Sequence, residues 1–331
     1  MMRLLVVGAG ATGGYFGARL VRAGRDVTFL VRPGRAAVLR ERGLRIVGSG
    51  EDDRVDARLV TAAELRDSGC SYGSYDVVLV SVKATALAQA MEDIAPAVGP
   101  STAILPVLNG MAHLDRLSER FGTASVLGGV ALLATSVDAR GDIAVLAPGA
   151  KLTLGDQRGG AVRAGTADAV RAADSSAGRA FELLDGAGFE VTVSENILAE
   201  MWHKWVFIAT AGAITCLMRG TIGDVVSVPG GTEYAKAVLA ETAAVSAAAG
   251  FPLTEERRAT TEGTLTQPGS PFAPSFYRDV TAGRSTEVEH VFGDLTRRAA
   301  ELSVATPLMD LATMNLRVYE HRYGLGLRSA S

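Results

Sequence analysis

Leu4-Leu5-Val6-Val7-Gly8-Ala9-Gly10-Ala11-Thr12-Gly13 is an aliphatic run that breaks into a Gly-x-Gly-x-x-Gly pattern near the start of a 331-residue chain. The glycine pattern by itself is weak evidence, and its context gives it meaning. Here it comes after a short apolar run and opens Tyr15 to Ala23, a segment of helical character closed by Gly24. In that setting Gly8 allows the tight turn and Gly10 lets the backbone approach a pyrophosphate. Gly13 permits close packing of helix on strand, and the helix N-terminus faces the anion. Gly8, Ala9, Gly10, Ala11, Thr12 and Gly13 are therefore the expected dinucleotide cradle. The competing reading is a Gly-rich strand–helix turn that holds no ligand.

Working outward, Val27 to Val31 is a second strand, and the residues at its end bear on the choice of nucleotide. A site for NAD offers Asp or Glu there, roughly 20 residues after the glycines, to the ribose hydroxyls. This chain offers Val31-Arg32-Pro33-Gly34-Arg35 instead. A guanidinium can grip a 2′-phosphate with a forked hydrogen bond, so NADPH/NADP+ is the expected cofactor and Arg32 its reader. A solvated surface arginine is the alternative for Arg32, and more so for Arg35.

Asp76 to Val82 and Ala103 to Leu108 are further strands, continuously apolar rather than alternating. Such runs belong to parallel sheets buried on both faces. Their alternation with helical stretches predicts an α/β, Rossmann-type doubly wound fold. Ligands in such sheets bind beyond the carboxyl ends of the strands, where this chain places Ser81, Lys83 and Asn109-Gly110. Asn-Gly is also a hairpin signal, but Pro106 precedes it and Met111 to Leu117 reads as a helix. Lys83 also fits a plain surface lysine.

Shorter strands are expected at Val126 to Leu133, Ile143 to Leu146, Lys151 to Leu154 and Phe189 to Val193. Gly159 to Gly178 reads as a surface loop with one short helix. From Ser194 the pattern turns helical, which divides the chain into a dinucleotide-binding domain, 1–193, and an all-α domain, 194–331. Helices are expected over Ile197 to Ile208, Glu233 to Gly250, Val288 to Leu302 and Pro307 to Arg322.

On the first of these, Ile197, Met201, Trp205 and Ile208 form an apolar stripe, and Lys204 lies on the same face, with Ser194 as the expected cap. A desolvated lysine favours its neutral form and acquires a pKa useful for proton transfer. A lysine that snorkels its head to water fits the pattern equally well. Glu287 sits at the edge of the stripe of the later helix, where an acid in the first turn also serves the helix dipole, with Ser285 or Thr286 as cap.

Net charge is −3, which points away from nucleic acid and from an anionic membrane surface. Cys70 and Cys216 are far apart, and His113, His203, His290 and His321 lack ligand spacing, so neither a disulfide framework nor a metal site is expected. The apolar start is too short for a spanning helix or a signal segment, so the expectation is a cytoplasmic protein without a membrane partner.

Taken together, VVGAGATGGYFGARL, Arg32, SVKA around Lys83, LNGM around Asn109, EMWHKW around Lys204, GRSTEVEHVFG around Glu287 and VATPLMDLATMNLRVYE resemble the ketopantoate reductase (2-dehydropantoate 2-reductase) family, over nearly the full length. The resemblance implies that Lys204 is the general acid and that Asn109 orients substrate beside the nicotinamide. It implies that Lys83 lies at the cofactor edge and that Glu287 contacts cofactor and helps position the site. Ser275 would hold a substrate carboxylate. It implies a Rossmann domain and an all-α domain with the active site between them, and reduction of 2-dehydropantoate to pantoate on the way to pantothenate. The implied partner is a small-molecule 2-oxo acid; a homodimer is left open. Ile208, Gly212 and Phe272 depart from the family, standing at or near positions where polar side chains are often found. A different 2-oxo acid or ketone, or an NADP(H)-sensing module without turnover, are the competing functions.

Overall fold

Arg3–Val7 (β1) is the middle strand of a five-stranded parallel sheet in the computed structural model, which describes residues 1–67, 75–158 and 175–324. The other four strands are Asp26–Leu30 (β2), Arg58–Val60 (β5), Val77–Val80 (β6) and Ala103–Pro106 (β7), in the order β5-β2-β1-β6-β7. Leu4, Leu5 and Val6, the whole of β6 and Ala103 to Leu105 are fully buried, as continuous apolar runs in a doubly covered sheet should be. Side chains that alternate between faces are thus apolar on both, and helices on each face supply the cover. The helix Ala11–Arg22 presents Phe16 and Leu20 to the core.

A second sheet was not foreseen. It has the order β10-β9-β3-β4, with β8 paired to β9; the ranges are Leu44–Gly48 (β3), Glu51–Val55 (β4), Leu127–Val137 (β8), Ile143–Asp156 (β9) and Glu190–Val193 (β10). The two strands expected at Ile143 and Lys151 are one, because β9 runs through Pro148-Gly149 while pairing antiparallel with β8. A register shift lies opposite that dipeptide, between Leu132 and Thr135, where a bulge absorbs the irregularity. Cys70 and most of the loop expected over 159–178 lie outside the described residues; a helix, Ser176–Leu184, begins at its end.

The described chain falls into two compact units. One comprises Met1–Leu108 and His113–Ile197; the other comprises Asn109–Ala112 and Leu198 onward. The division thus falls after Ile197 rather than after residue 193, and the Asn109–Ala112 segment groups with the helical unit. The reason is local. The Gly110 backbone packs so closely on the His290 carbonyl that a Cβ there would stand 2.8 Å from it.

The second unit carries no strand among the described residues. The long helix Ile197–Met218, which lies in this unit from Leu198 onward, buries Met201, Trp205, Val206 and Ala209. The helices Gly231–Ala248 and Pro307–Arg322 agree with the sequence expectation; Ile222–Val226, Glu255–Leu265 and Ser275–Thr281 are additional. The helix expected over Val288 to Leu302 opens with a π-helical turn, Glu289–Gly293, before Asp294–Glu301. No helix among the described residues is long and apolar enough to cross a membrane.

Candidate active site

In the first unit the glycine loop joins β1 to the helix Ala11–Arg22, with Gly10 as N-cap. Gly8 has φ +94°, a conformation that side chains resist. Its N–H donates to Leu30 O at 3.0 Å, which lays the loop across the end of β2. A Cβ at Gly13 would collide with Ser81 Oγ and the Gly8 carbonyl, whereas one at Gly10 would meet nothing within 4 Å. The loop is therefore closed behind Gly13 and open over Gly10. That open space adjoins unsatisfied N–H groups of the first helical turn, where an anion binds. A dinucleotide pyrophosphate fits this arrangement.

Three side chains hold the loop. Ser81 Oγ donates toward Val7 O and Gly8 O, both at 3.1 Å, and Thr135 Oγ1 donates to Ala11 O at 3.2 Å. Arg35 Nε and a terminal nitrogen donate to Ala9 O at 3.2 and 3.0 Å. Arg35 is thus neither a phosphate reader nor a solvated arginine but a strap on the cradle. Partial burial lowers its pKa, against the pull of Asp142. Arg32, by contrast, is exposed at the end of β2 and N-caps the helix Pro33–Arg42, where its carbonyl accepts from Ala36 N at 2.9 Å; its guanidinium makes no hydrogen bond or ion pair among the described residues. Ala9 is buried, and Ala11 and Thr12 are half-buried in the first turn. Lys83 is exposed just beyond β6, where its carbonyl accepts from Ala86 N at 2.9 Å.

The second unit brings Asn109, Lys204 and Glu287 into one folded body. Lys204 is half-buried on the long helix. Desolvation lowers its pKa to about 8, and the charge of Glu287 opposes the fall. The ammonium is therefore poised between its charged and neutral forms near neutrality, which a surface lysine is not. Beside it, Trp205 is fully buried and its indole N–H donates to Val291 O in the π-turn at 2.9 Å.

Glu287 lies just before that turn, and its carbonyl accepts from both His290 N and Val291 N at 3.0 Å. Ser285 and Thr286 do not cap the helix. Thr286 N and Oγ1 each donate to Glu320 Oε1 at 2.6 Å, and Ser285 Oγ reaches the same carboxylate at 3.3 and 3.4 Å. Ser194 does not cap its helix either: its hydroxyl accepts from Asn196 N at 3.2 Å, in the turn before Ile197. Half-buried Asn109 precedes Gly110, whose close approach to the His290 carbonyl seats the segment against the same π-turn. A single irregular turn thus links Asn109-Gly110, Glu287 and the residue next to Lys204. Single-turn π-bulges inside helices are frequent at functional sites.

The departures noted in the sequence have a structural cause. A Cβ at Gly212 would lie 2.9 Å from Phe292 Cζ, so the Phe292 ring occupies the space a side chain there would need. That ring is fully buried and stacks on Phe276, centroids 5.2 Å apart and planes 6° apart. Phe207 and Phe272 pair at 5.6 Å, and both are half-buried, as is Ile208. Ser275 is exposed at the start of the helix Ser275–Thr281, three residues after Phe272.

Two family profiles match the chain: Ketopantoate reductase PanE/ApbA over residues 4–159, and the C-terminal domain of the same family over residues 196–320. An uncharacterized oxidoreductase, YkpB, of Bacillus subtilis is 32% identical over 96% of this chain and 99% of its own. A 2-dehydropantoate 2-reductase of Mesorhizobium japonicum is 26% identical over 93% of this chain and 95% of its own. Among solved structures, D-mandelate dehydrogenase with NADH and anilino(oxo)acetate superposes with a TM-score of 0.83 over 98% of this chain and 100% of that one, at 20% identity. That last likeness is one of fold.

Proposed function

The chain belongs to the ketopantoate reductase family of nicotinamide-dependent oxidoreductases, and on that premise we propose that it reduces the keto group of a 2-oxo acid with NADPH, 2-dehydropantoate being the first substrate to test. The observation that carries the proposal is the desolvated Lys204 ammonium with Glu287 beside it, on a helix that buries Met201 and Trp205 next to it.

Bound NADPH supplies the hydride. Gly8, Ala9, Gly10, Ala11, Thr12 and Gly13 hold its pyrophosphate on the helix N-terminus, and exposed Arg32 takes the 2′-phosphate. Lys83 completes the cofactor edge of the same sheet. As negative charge builds on the carbonyl oxygen, Lys204 Nζ donates a hydrogen bond to it and then the proton. Glu287 keeps that amine protonated in a desolvated setting. The Asn109 amide orients the substrate against both, and the Ser275 hydroxyl binds its carboxylate. A sensor without turnover has no use for a lysine held near its pKa, so the catalytic reading is preferred.

A second reading, reduction of a 2-oxo acid with a less polar side chain, is favoured by the packing at Gly212. One and two turns beyond Lys204 the helix offers Ile208 and a glycine closed off by Phe292, and neither can hydrogen-bond a substrate hydroxyl. An apolar pocket discriminates against an added hydroxyl by only about 100-fold, so 2-dehydropantoate is not excluded. The D-mandelate dehydrogenase structure holds anilino(oxo)acetate, an acid without such a hydroxyl.

The test is NADPH oxidation with 2-dehydropantoate, its analogue lacking the 4-hydroxyl, and aryl 2-oxo acids. Turnover of 2-dehydropantoate above the deoxy analogue supports the first reading, and the reverse order supports the second. NADPH binding without turnover of any of them would refute both.

A further inference from the structure

The last helix of the second unit, Pro307–Arg322, grips the segment around Glu287 from both sides. On the N-terminal side, Tyr319 Oη donates to Arg284 O at 2.9 Å and Glu320 accepts from Ser285 and Thr286. On the C-terminal side, Arg317 donates through Nε and a terminal nitrogen to the two Glu289 carboxylate oxygens, each at 2.7 Å. Of these contacts only that of Glu320 with Thr286 is buried at both ends. It is also the contact nearest to Glu287 in the chain.

We propose that Glu320 is a positioning residue for the reaction: by holding Thr286 N–H and Oγ1 on one carboxylate oxygen it fixes the backbone that presents Glu287 to Lys204. The proposal rests on the reading of Lys204 and Glu287 given above. Thr286 cannot rotate without breaking two charge-assisted hydrogen bonds at 2.6 Å, a kind roughly twice as strong as neutral ones. Removing the carboxylate leaves the Thr286 N–H and hydroxyl buried without an acceptor, and the cheapest relief is for the segment to turn them toward water. Glu287, one residue on, moves with it.

Other charged groups on the packed elements are already engaged. Glu200 pairs with Arg257 at 2.6 Å, Glu289 with Arg317, and Asp294 with Arg298 at 3.0 Å and with Arg297. His203 Nε2 faces Pro252 O at 3.3 Å, and His290 lies in the π-turn itself. Glu287 is thus the acid whose charge supports the Lys204 ammonium.

The test compares Glu320→Ala, Glu320→Gln, Glu287→Gln and the double variant Glu320→Ala/Glu287→Gln by the pH dependence of kcat, with thermal unfolding in parallel. Loss of the Glu287 charge lets Lys204 deprotonate at lower pH, so Glu287→Gln moves the alkaline limb down by roughly one pH unit. Glu320→Ala is expected to move it the same way and to lower kcat about tenfold. Glu320→Gln keeps an acceptor oxygen and restores most of both. The double variant shows no further shift beyond Glu287→Gln. A Glu320→Ala protein with reduced melting temperature but an unmoved limb would overturn the proposal, as would independent, additive shifts in the double variant. If Glu287→Gln itself leaves the limb in place, the fault lies with the assignment of Glu287 and Lys204 instead.

Discussion

Gly10→Val and Gly13→Ala separate the two tasks of the glycine loop. At Gly10 the space beyond a Cβ is open to 4 Å, and the backbone (φ −87°, ψ −163°) is one that valine accepts. The folded apo protein should lose only the advantage of glycine over an aliphatic residue at an N-cap, roughly 0.5–1 kcal/mol. That corresponds to a fall of about 1–4 °C in melting temperature at 2–4 °C per kcal/mol. The cofactor effect is far larger. A ligand at 100 times its Kd adds about 2.7 kcal/mol, or roughly 5–11 °C, and the valine side chain removes all of it by filling the pyrophosphate path. At Gly13 the obstruction is Ser81 Oγ and, behind it, the Gly8 carbonyl, which as backbone cannot step aside. Overpacking there costs about 1–3 kcal/mol, and displacement of Ser81 gives up hydrogen bonds worth about 0.5–1.5 kcal/mol each. The gain of alanine over glycine in a helix, about 1 kcal/mol, does not offset this. Differential scanning fluorimetry with and without saturating NADPH distinguishes the two. Gly10→Val should lose the NADPH-induced rise with a near-native apo transition; Gly13→Ala should lower the apo transition itself. An intact NADPH-induced rise in Gly10→Val would refute the cradle.

Arg32→Ala should weaken NADPH binding by about 10- to 150-fold, the worth of a charge-assisted contact of roughly 1.5–3 kcal/mol, and leave NADH nearly unchanged; fluorescence titration of both cofactors checks it. Trp205→Phe removes the buried indole N–H bond to Val291 O, so it should cost about 0.5–1.5 kcal/mol of stability, measured by chemical denaturation, and an unchanged midpoint would show that the indole contact is dispensable.

The parallel sheet was legible because β6 and β7 are continuous apolar runs, and the cradle because its glycines come directly after β1. The β3–β4 hairpin was not, since Glu51–Val55 reads EDDRV and carries no alternation that marks a buried face. Lys204 stood out as a charge within an apolar stripe, yet the stripe alone could not say whether the ammonium reached water. Desolvation is set by residues from other helices. The role of Arg35 was missed because a strap to the Ala9 carbonyl is a tertiary contact with no local signature. The same holds for Glu320, which meets Thr286 across 34 residues of sequence. Nor does a π-turn announce itself: Val288, Val291, Phe292 and Leu295 keep helical spacing through it. The apolar reading of Gly212 came from comparison with a family pattern; its cause, the Phe292 ring, is visible only in the packing.

The most direct test of the catalytic claim is kcat against pH for the native protein and for Lys204→Ala, with NADPH and whichever 2-oxo acid is turned over best. A proton donor must be protonated to act, and the pKa of Lys204 is lowered to about 8, so the native rate should hold below that pH and decline above it. Lys204→Ala should lose about 10²–10⁴-fold in kcat, retain NADPH binding, and lack the alkaline limb. A Lys204→Ala protein with near-native kcat and an unaltered limb would contradict the account, because the proton would then come from another group.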